Sequence, residues 1–231
     1  NFPVPSSIGV TNLAAQNAAG MVNKGLEVAL NFRSSLGKLK YTLGGNVTRM
    51  ADNEVTDLGP GGEETISGFN IIRIGQPFQA YFGYQTLGIF QNAEEVTSAP
   101  VQFGSKTTAA GDIRYADVSG PAGVPDGVVD ANDRVVIGNP YPKWIYNFNL
   151  NLEYSGFDVS AQFQGLGGVD RLLNGNGQLP MVDDRNNVLS YWINRWTPEN
   201  PSTELPRLGG NNNQQVSDFY IQDASFLRLK N

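Results

Sequence analysis

The stretch Tyr146-Asn147-Phe148-Asn149-Leu150-Asn151-Leu152-Glu153-Tyr154 carries an aromatic residue or leucine at every even position and a polar residue at every odd one. Side chains alternate between faces along a β-strand, so this run has one apolar and one polar face. Ser155-Gly156 supplies a tight turn, and the alternation resumes beyond it. Phe157, Val159, Ala161 and Phe163 interleave with Asp158, Ser160, Gln162 and Gln164. The spacing predicts two antiparallel strands, over about 146–154 and 157–164, closed by a hairpin.

Working outward, the same pattern recurs upstream. Leu26, Val28, Leu30 and Phe32 alternate with Glu27, Ala29, Asn31 and Arg33. After Ser34-Ser35-Leu36-Gly37, Leu39, Tyr41, Leu43 and Val47 alternate with Lys40, Thr42, Asn46 and Thr48. Strands over about 26–33 and 38–49 are therefore expected, with a fifth over about 221–230. The composition agrees with an all-β chain: of 231 residues, 27 are Gly and 13 Pro, suiting many turns, and only 16% are charged.

Absences exclude several function classes. With no His and no Cys, the chain has no Ser-His-Asp triad, thiol nucleophile, disulfide framework or His-based zinc site. A net charge of −6, with 16 Lys and Arg that form no run, argues against a nucleic-acid surface. No apolar run approaches the ~18 residues of a membrane helix. The opening Asn1-Phe2-Pro3-Val4-Pro5 has no initiator Met and no signal peptide, so the sequence is expected to come from the middle of a longer chain. A Cys-free chain fits export from a bacterial cell.

Alternating hairpins admit two arrangements. In a soluble sandwich the apolar face is the core; in an outer-membrane barrel it meets lipid and the polar face lines the lumen. Three features favour the barrel. About nine residues suffice for a tilted membrane strand, and 146–154 supplies them. Aromatics stand near strand ends, where interfacial girdles lie: Phe32, Tyr41, Tyr146, Phe148, Tyr154 and Phe157. Short turns alternate with long connections, about 50–144 and 165–219, as periplasmic turns and extracellular loops do in barrels. Five strands cannot close, and open edges are not tolerated in lipid. The expectation is a partial antiparallel transmembrane β-barrel, one segment of a larger barrel in the bacterial outer membrane. On this reading Asn147, Asn149, Asn151, Glu153, Asp158, Ser160, Gln162 and Gln164 face the lumen.

Two loop features could carry chemistry. Without Pro121 to Pro125, the stretch from Asp117 to Asp133 approaches a twelve-residue calcium loop. Asp117, Ser119, Asp126, Asp130 and Asp133 would offer side-chain oxygens and Val128 its carbonyl, for a structural Ca2+. The alternative is a set of Asx turns without metal. Aromatic residues in the long connections, Tyr81, Tyr84, Trp192 and Trp196, are candidate stacking surfaces for sugar rings; the alternative is that they pack the loops. Val188 to Trp196 resembles a short helix. Asp183 and Asp184 are adjacent and point apart, so they make no acid/base pair. No catalytic constellation is present, and an enzyme is not expected.

Several strings in order carry a resemblance: V-N-K-G-L-E (22–27), I-G-Q-P-F (74–78), Y-F-G-Y-Q-T-L-G-I-F-Q (81–91), G-D-I-R-Y-A-D-V (111–118), D-G-V-V-D-A-N-D-R-V-V-I-G-N-P-Y-P-K (126–143), the hairpin at 147–165, and D-A-S-F-L-R-L-K-N (223–231). From about residue 20 onward the chain resembles the C-terminal part of the SusC/RagA family of TonB-dependent outer-membrane transporters of Bacteroidetes. The loop at 117–133 departs from the family's compact acidic motif through Ser119 and the insertion 121–125. The resemblance implies a barrel of about 22 strands, a plug and a TonB-contacting segment that these residues do not include, and a SusD-like surface lipoprotein acting as a lid. It also implies import of glycans, or of peptides in some members. The competing expectation is a secreted, calcium-stabilised β-sandwich that binds carbohydrate.

Overall fold

The computed structural model describes residues 19–59, 62–104, 107–173, 187–209 and 211–230. The opening Asn1 to Pro5 and the pair Asp183 and Asp184 lie outside them. The chain divides into two units, one of residues up to Ala80 with Asn139–Asp170 and Asp223 onward, the other of Tyr81–Gly138 and Arg171–Gln222.

The first unit is built on one antiparallel sheet. Its strands are β1 (Gly20–Leu36), β2 (Leu39–Asp57), β3 (Trp144–Tyr154), β4 (Phe157–Gly167) and β5 (Phe226–Leu229). Spatial order follows chain order, an up-and-down meander. The 11 residues of β3 and of β4 match the ~9–11 of a tilted membrane strand. At the β3–β4 hairpin, Ser155 and Gly156 both take positive φ, 48° and 87°, the mirror-image turn that suits strand twist.

Register places the alternation on two continuous faces. Phe148 of β3 pairs with Phe163 of β4 and Gly45 of β2; Leu150 pairs with Ala161 and Leu43. Across the next position Asn149 pairs with Gln162 and Gly44. A one-residue slip would exchange the faces, so every pair reinforces the others.

The apolar face is bare. Leu30 is 73% exposed, Phe157 77% and Leu229 61%. Val28, Phe32, Val47, Phe148, Val159 and Leu227 are exposed as well. In a water-soluble sandwich this face would be the core, and each Leu or Phe left in water forgoes about 1.5–3 kcal/mol. Among the described residues no second sheet covers it, so the sandwich expectation is set aside. Among the described residues no helix is long and apolar enough to cross a membrane; strands are the elements with a lipid-compatible surface.

β3 starts at Trp144 and β4 ends at Gly167, a little beyond the expected 146 and 164, and larger differences fall in β1, β2 and the last strand. β1 begins at Gly20 and β2 runs to Asp57, well beyond 26 and 49. The pairing continues there past a register shift at Lys24/Gly25, with Lys24 and Asp52 in an ion pair at 3.2 Å. The expected strand 221–230 is two strands, Ile221–Asp223 and Phe226–Leu229, because Ser225 turns its amide onto the Asp223 carboxylate at 2.8 Å.

One glycine in β4 is required by packing. The Tyr146 ring lies over Gly165, where a Cβ would overlap it, and the Tyr146 hydroxyl donates to the Phe226 carbonyl at 3.2 Å. Gly165→Ala is expected to lower barrel stability by about 1–3 kcal/mol through overpacking. The control is Gly167→Ala, whose Cβ would meet Trp144 at an ordinary 3.4 Å. The temperature at which the full-length protein loses its compact gel mobility reads the difference.

The second unit has its own core. Tyr84, Ile113, Tyr115 and Val129 are buried together, with Phe103 and Phe219 packed against them. Phe103 meets Tyr84 edge-on at 5.0 Å and Tyr115 at 5.4 Å between centroids. Short strands tie it: Thr86–Ile89 with Ile113–Tyr115, and, in parallel, Val101–Gln102 with Val128–Val129. Val188 to Trp196 yields a 3-10 helix over Ser190–Asn194 rather than an α-helix. The described parts of the long connections are thus folded structure in their own right.

Candidate functional site

The polar face of the sheet has its own cross-strand chemistry. Asn147 donates to Asn46 at 2.9 Å, Lys40 meets Glu153 at 3.1 Å, and Arg33 donates to Thr42 at 3.3 Å. The Asn31 and Asn149 amides converge over Gly44, leaving no room for a Cβ. All eight residues expected on the lumen side fall on this face in four cross-strand pairs: Asn147 with Gln164, Asn149 with Gln162, Asn151 with Ser160, and Glu153 with Asp158. Asn31, Arg33, Lys40, Thr42 and Asn46 of β1 and β2 extend it, and their own alternation carried the same signal. Such a wall offers amide and hydroxyl groups to a polar solute, with the charges of Arg33, Lys40, Glu153 and Asp158 gathered toward the turn end.

The Asp-rich loop is closed by carboxylate–amide hydrogen bonds. Asp133 is fully buried; one of its oxygens accepts from the amides of Val118 and Ser119 at 2.8 and 3.0 Å, the other from Asp130 at 2.7 Å. Asp117 accepts from Asp126 and Gly127 at 3.2 and 2.7 Å, and the Asp126 carboxylate accepts from Val128 at 3.0 Å. Asp130 accepts from Asn132 at 2.7 Å, capping the 3-10 turn Ala131–Asp133. The six expected ligands, Asp117, Ser119, Asp126, Val128, Asp130 and Asp133, therefore lie in one loop. Among the described residues, however, no group of three or more acidic side chains is placed to hold an ion. In this arrangement the carboxylate oxygens accept from backbone N–H groups, as in Asx turns. Asp133→Asn keeps one acceptor and is expected to cost about 1–2 kcal/mol. Protease cleavage within 117–133 of the full-length protein should accelerate in that variant, and chelator should leave the parent's cleavage unchanged.

The four aromatic candidates are interior residues. Tyr81, Tyr84, Trp192 and Trp196 are all buried. Tyr84 belongs to the core cluster, and Trp196 packs flat against Gly111, where a Cβ would collide with the indole. They are not open stacking platforms, because their rings supply the apolar area that orders two long connections. Trp192 differs from the rest: it lines a cavity of about 610 Å3 with Tyr191, Phe219 and Tyr220.

Sequence reasoning missed a buried polar network. The Asp112 carboxylate, fully buried, receives Arg207 through Nε at 2.6 Å and a second guanidinium nitrogen at 3.0 Å. Asn213 donates to the same carboxylate at 2.9 Å and accepts from the Ile113 amide at 2.8 Å. Gln102 accepts from Tyr115 N–H at 2.6 Å and donates to Asn212 at 2.9 Å. The ion pair holds the Arg207 proton more firmly than usual, chiefly through the hydrogen bond to Asp112. Burial raises the Tyr115 and Tyr220 phenols, so both remain neutral donors to the carbonyls of Asn212 and Asn213.

No protein-family model matches the chain. TonB-dependent receptor P26 of Formosa agariphila is 29% identical to it, over 98% of this chain and 23% of that protein. TonB-dependent receptor P3 of the same organism is 27% identical, over 99% and 23% respectively. The chain spans about a quarter of the length of the curated relatives it matches. Among solved structures, the RagAB peptide importer in its open-open state superposes with a TM-score of 0.71 at 21% identity, over 99% of this chain and 23% of that one. The RagAB peptide transporter gives 0.72 at 20% identity, over 99% and 24%. The curated relatives are TonB-dependent receptors, and the solved structures are of a peptide importer. With one apolar face and one polar face, the chain has the fold of a segment of the RagAB transporter barrel and is similar along nearly its whole length to TonB-dependent receptors.

Proposed function

We propose that this chain forms part of the barrel wall and outward loops of an importer that takes up glycans or peptides across the outer membrane. Its five strands contribute one arc of the barrel, within a single transmembrane domain. β1 and β5 pair with further strands of the full-length protein. A SusD-like surface lipoprotein captures the ligand and covers the barrel, and TonB supplies the energy through parts of the transporter other than this stretch. The observation that carries the reading is the sheet itself: five strands in continuous register, apolar on one face and amide-rich on the other. The short turns Gly37-Lys38 and Ser155-Gly156 lie at one end of the sheet and the long connections leave from the other. In barrels the long connections are the extracellular ones.

The test is uptake of fluorescently tagged oligosaccharides and peptides by cells whose only transporter for them is the full-length protein. Accumulation should fall to background when either TonB or the partner lipoprotein is deleted. Uptake that persists without TonB contradicts the importer reading.

A further inference from the structure

The apolar face of the first unit carries a depression. Gly45 of β2 stands between Leu30 of β1 and Phe148 of β3, and its missing side chain floors a groove of about 420 Å3. Val28, Val47 and Tyr146 form the next row away from the short turns and wall the groove at that end. One row further, Arg49 pairs with Leu26 and Trp144. All of these residues belong to the first unit.

Arg49 is the first charge met on this face. From the short turns up to Leu26, Val47 and Trp144, the apolar-face positions of β1, β2 and β3 are uncharged. Arg49 is exposed, and its guanidinium lies 5.5 Å from the centre of the Trp144 ring. It takes part in none of the ion pairs among the described residues. Asp52, the next carboxylate along β2, is engaged by Lys24 at 3.2 Å. Glu54 stands five residues beyond Arg49, roughly 15 Å along an extended strand. A guanidinium held over an indole and free of a carboxylate presents its planar fork to an anion, and phosphate fits that fork bidentately.

The size of the groove selects the occupant. A stable protein contact buries about 1,000 Å2 or more, whereas this groove has the volume of a small ligand. Gly45 lies about 13 Å from Arg49 along the strand, within reach of one acyl chain whose headgroup sits at the guanidinium. One row beyond Arg49, the Lys24–Asp52 pair offers a donor and an acceptor to sugar hydroxyls. Groove, guanidinium and polar pair therefore follow one another in the order of acyl chain, phosphate and sugar.

We propose that this strip of the barrel surface holds one molecule of the phosphate-bearing, multiply acylated glycolipid of the outer leaflet. An acyl chain lies over Gly45, a phosphate on the Arg49 guanidinium, and sugar hydroxyls at Lys24 and Asp52. This rests on the importer reading, in which the long connections are extracellular and Arg49 stands at the outer side of the membrane.

The test is native mass spectrometry of the delipidated full-length transporter in detergent, titrated with bisphosphorylated lipid A, with its dephosphorylated form and with phosphatidylglycerol. One lipid A should be retained at concentrations where neither of the other two binds. Arg49→Gln should weaken lipid A binding about 10-fold. Gly45→Leu, which fills the floor of the groove, should weaken it by a similar factor. Leu30→Ala lowers one wall at a 73% exposed position, where folding is not at stake, and should weaken it about 3-fold. Lys38→Gln, a cation lost from the short turn at the other end, should bind as the parent does. The proposal is overturned if the dephosphorylated form or phosphatidylglycerol binds as well as lipid A, or if Arg49→Gln and Leu30→Ala both bind as the parent does. A parent that retains no lipid A but performs TonB-dependent uptake would sink the lipid site and leave the importer standing. Lipid A binding that is sensitive to these variants, without TonB-dependent uptake, would do the reverse.

Discussion

Leu150→Arg is expected to abolish accumulation of the assembled full-length protein in the outer membrane, while Asn149→Arg assembles at close to the parent level. The two positions are adjacent in β3, so strand propensity and distance from the hairpin are nearly the same for both. What differs is the face. Leu150 sits between Leu43 and Ala161 in the middle of the apolar belt, and Asn149 sits between Gly44 and Gln162 on the polar wall. An Arg near the bilayer midplane costs about 2–4 kcal/mol on the lipid face of a barrel, whereas a lumen position tolerates it. Heat-modifiable gel mobility of membrane fractions measures the folded fraction. Equal behaviour of the two variants would show that the faces are wrongly assigned.

The second large effect is expected at Asp112. Asp112→Ala removes the carboxylate that Arg207, Asn213 and the Ala109 amide all use. It leaves a partly buried guanidinium without its anion, which typically costs about 3–5 kcal/mol when a buried pair is broken from one side. The Arg207 side chain retains 33% exposure, so water recovers part of that, and about 3 kcal/mol is the expected size. The loss should be confined to the second unit. Limited proteolysis should cut between residues 81 and 138 in the variant at protease levels that spare the parent, while barrel mobility on gels stays intact. Asp112→Ala together with Arg207→Met should recover much of the resistance, because the uncompensated charge is then gone.

How far the sequence reveals this molecule depends on which solvent each segment meets. β3 and β4 were legible to within three residues at their far ends, since a period-two pattern survives whether the apolar face meets a core or a lipid. The pattern alone could not distinguish those cases; the 77% exposure of Phe157 and 73% of Leu30 does. The upper reaches of β1 and β2 were hidden because Lys24, Asp52 and Glu54 interrupt the alternation and the register shifts at Lys24/Gly25. The order of the second unit was hidden for another reason. Its strands are as short as two residues, and side-chain amides do work that longer ladders do elsewhere: Gln102, Asn212 and Asn213 pair with the backbone of Ile113 and Tyr115. In sequence these residues read as turn formers.

The same ambiguity governs the candidate sites. Aspartates at metal-loop spacing and aspartates in Asx turns differ only in where their oxygens point, and from Asp117 to Asp133 they point at amides. Aromatic residues in long connections read equally as ligand platforms or as loop core; Tyr84 and Trp196 proved to be core, and Trp192 lines a cavity. The eight polar residues expected on the lumen side share one face because register is a cooperative property of the whole sheet.

The most direct test of the central claim uses the absence of native cysteine in this stretch. Single cysteines placed in turn from Phe148 to Glu153 of the full-length protein, spin-labelled in outer-membrane vesicles, report their surroundings through collision with oxygen, which concentrates in lipid, and with a water-soluble nickel chelate. The account predicts strict alternation: oxygen-accessible labels at 148, 150 and 152, chelate-accessible labels at 149, 151 and 153. Chelate access at all six positions would contradict it and would mean that the apolar face of this sheet does not lie against a membrane.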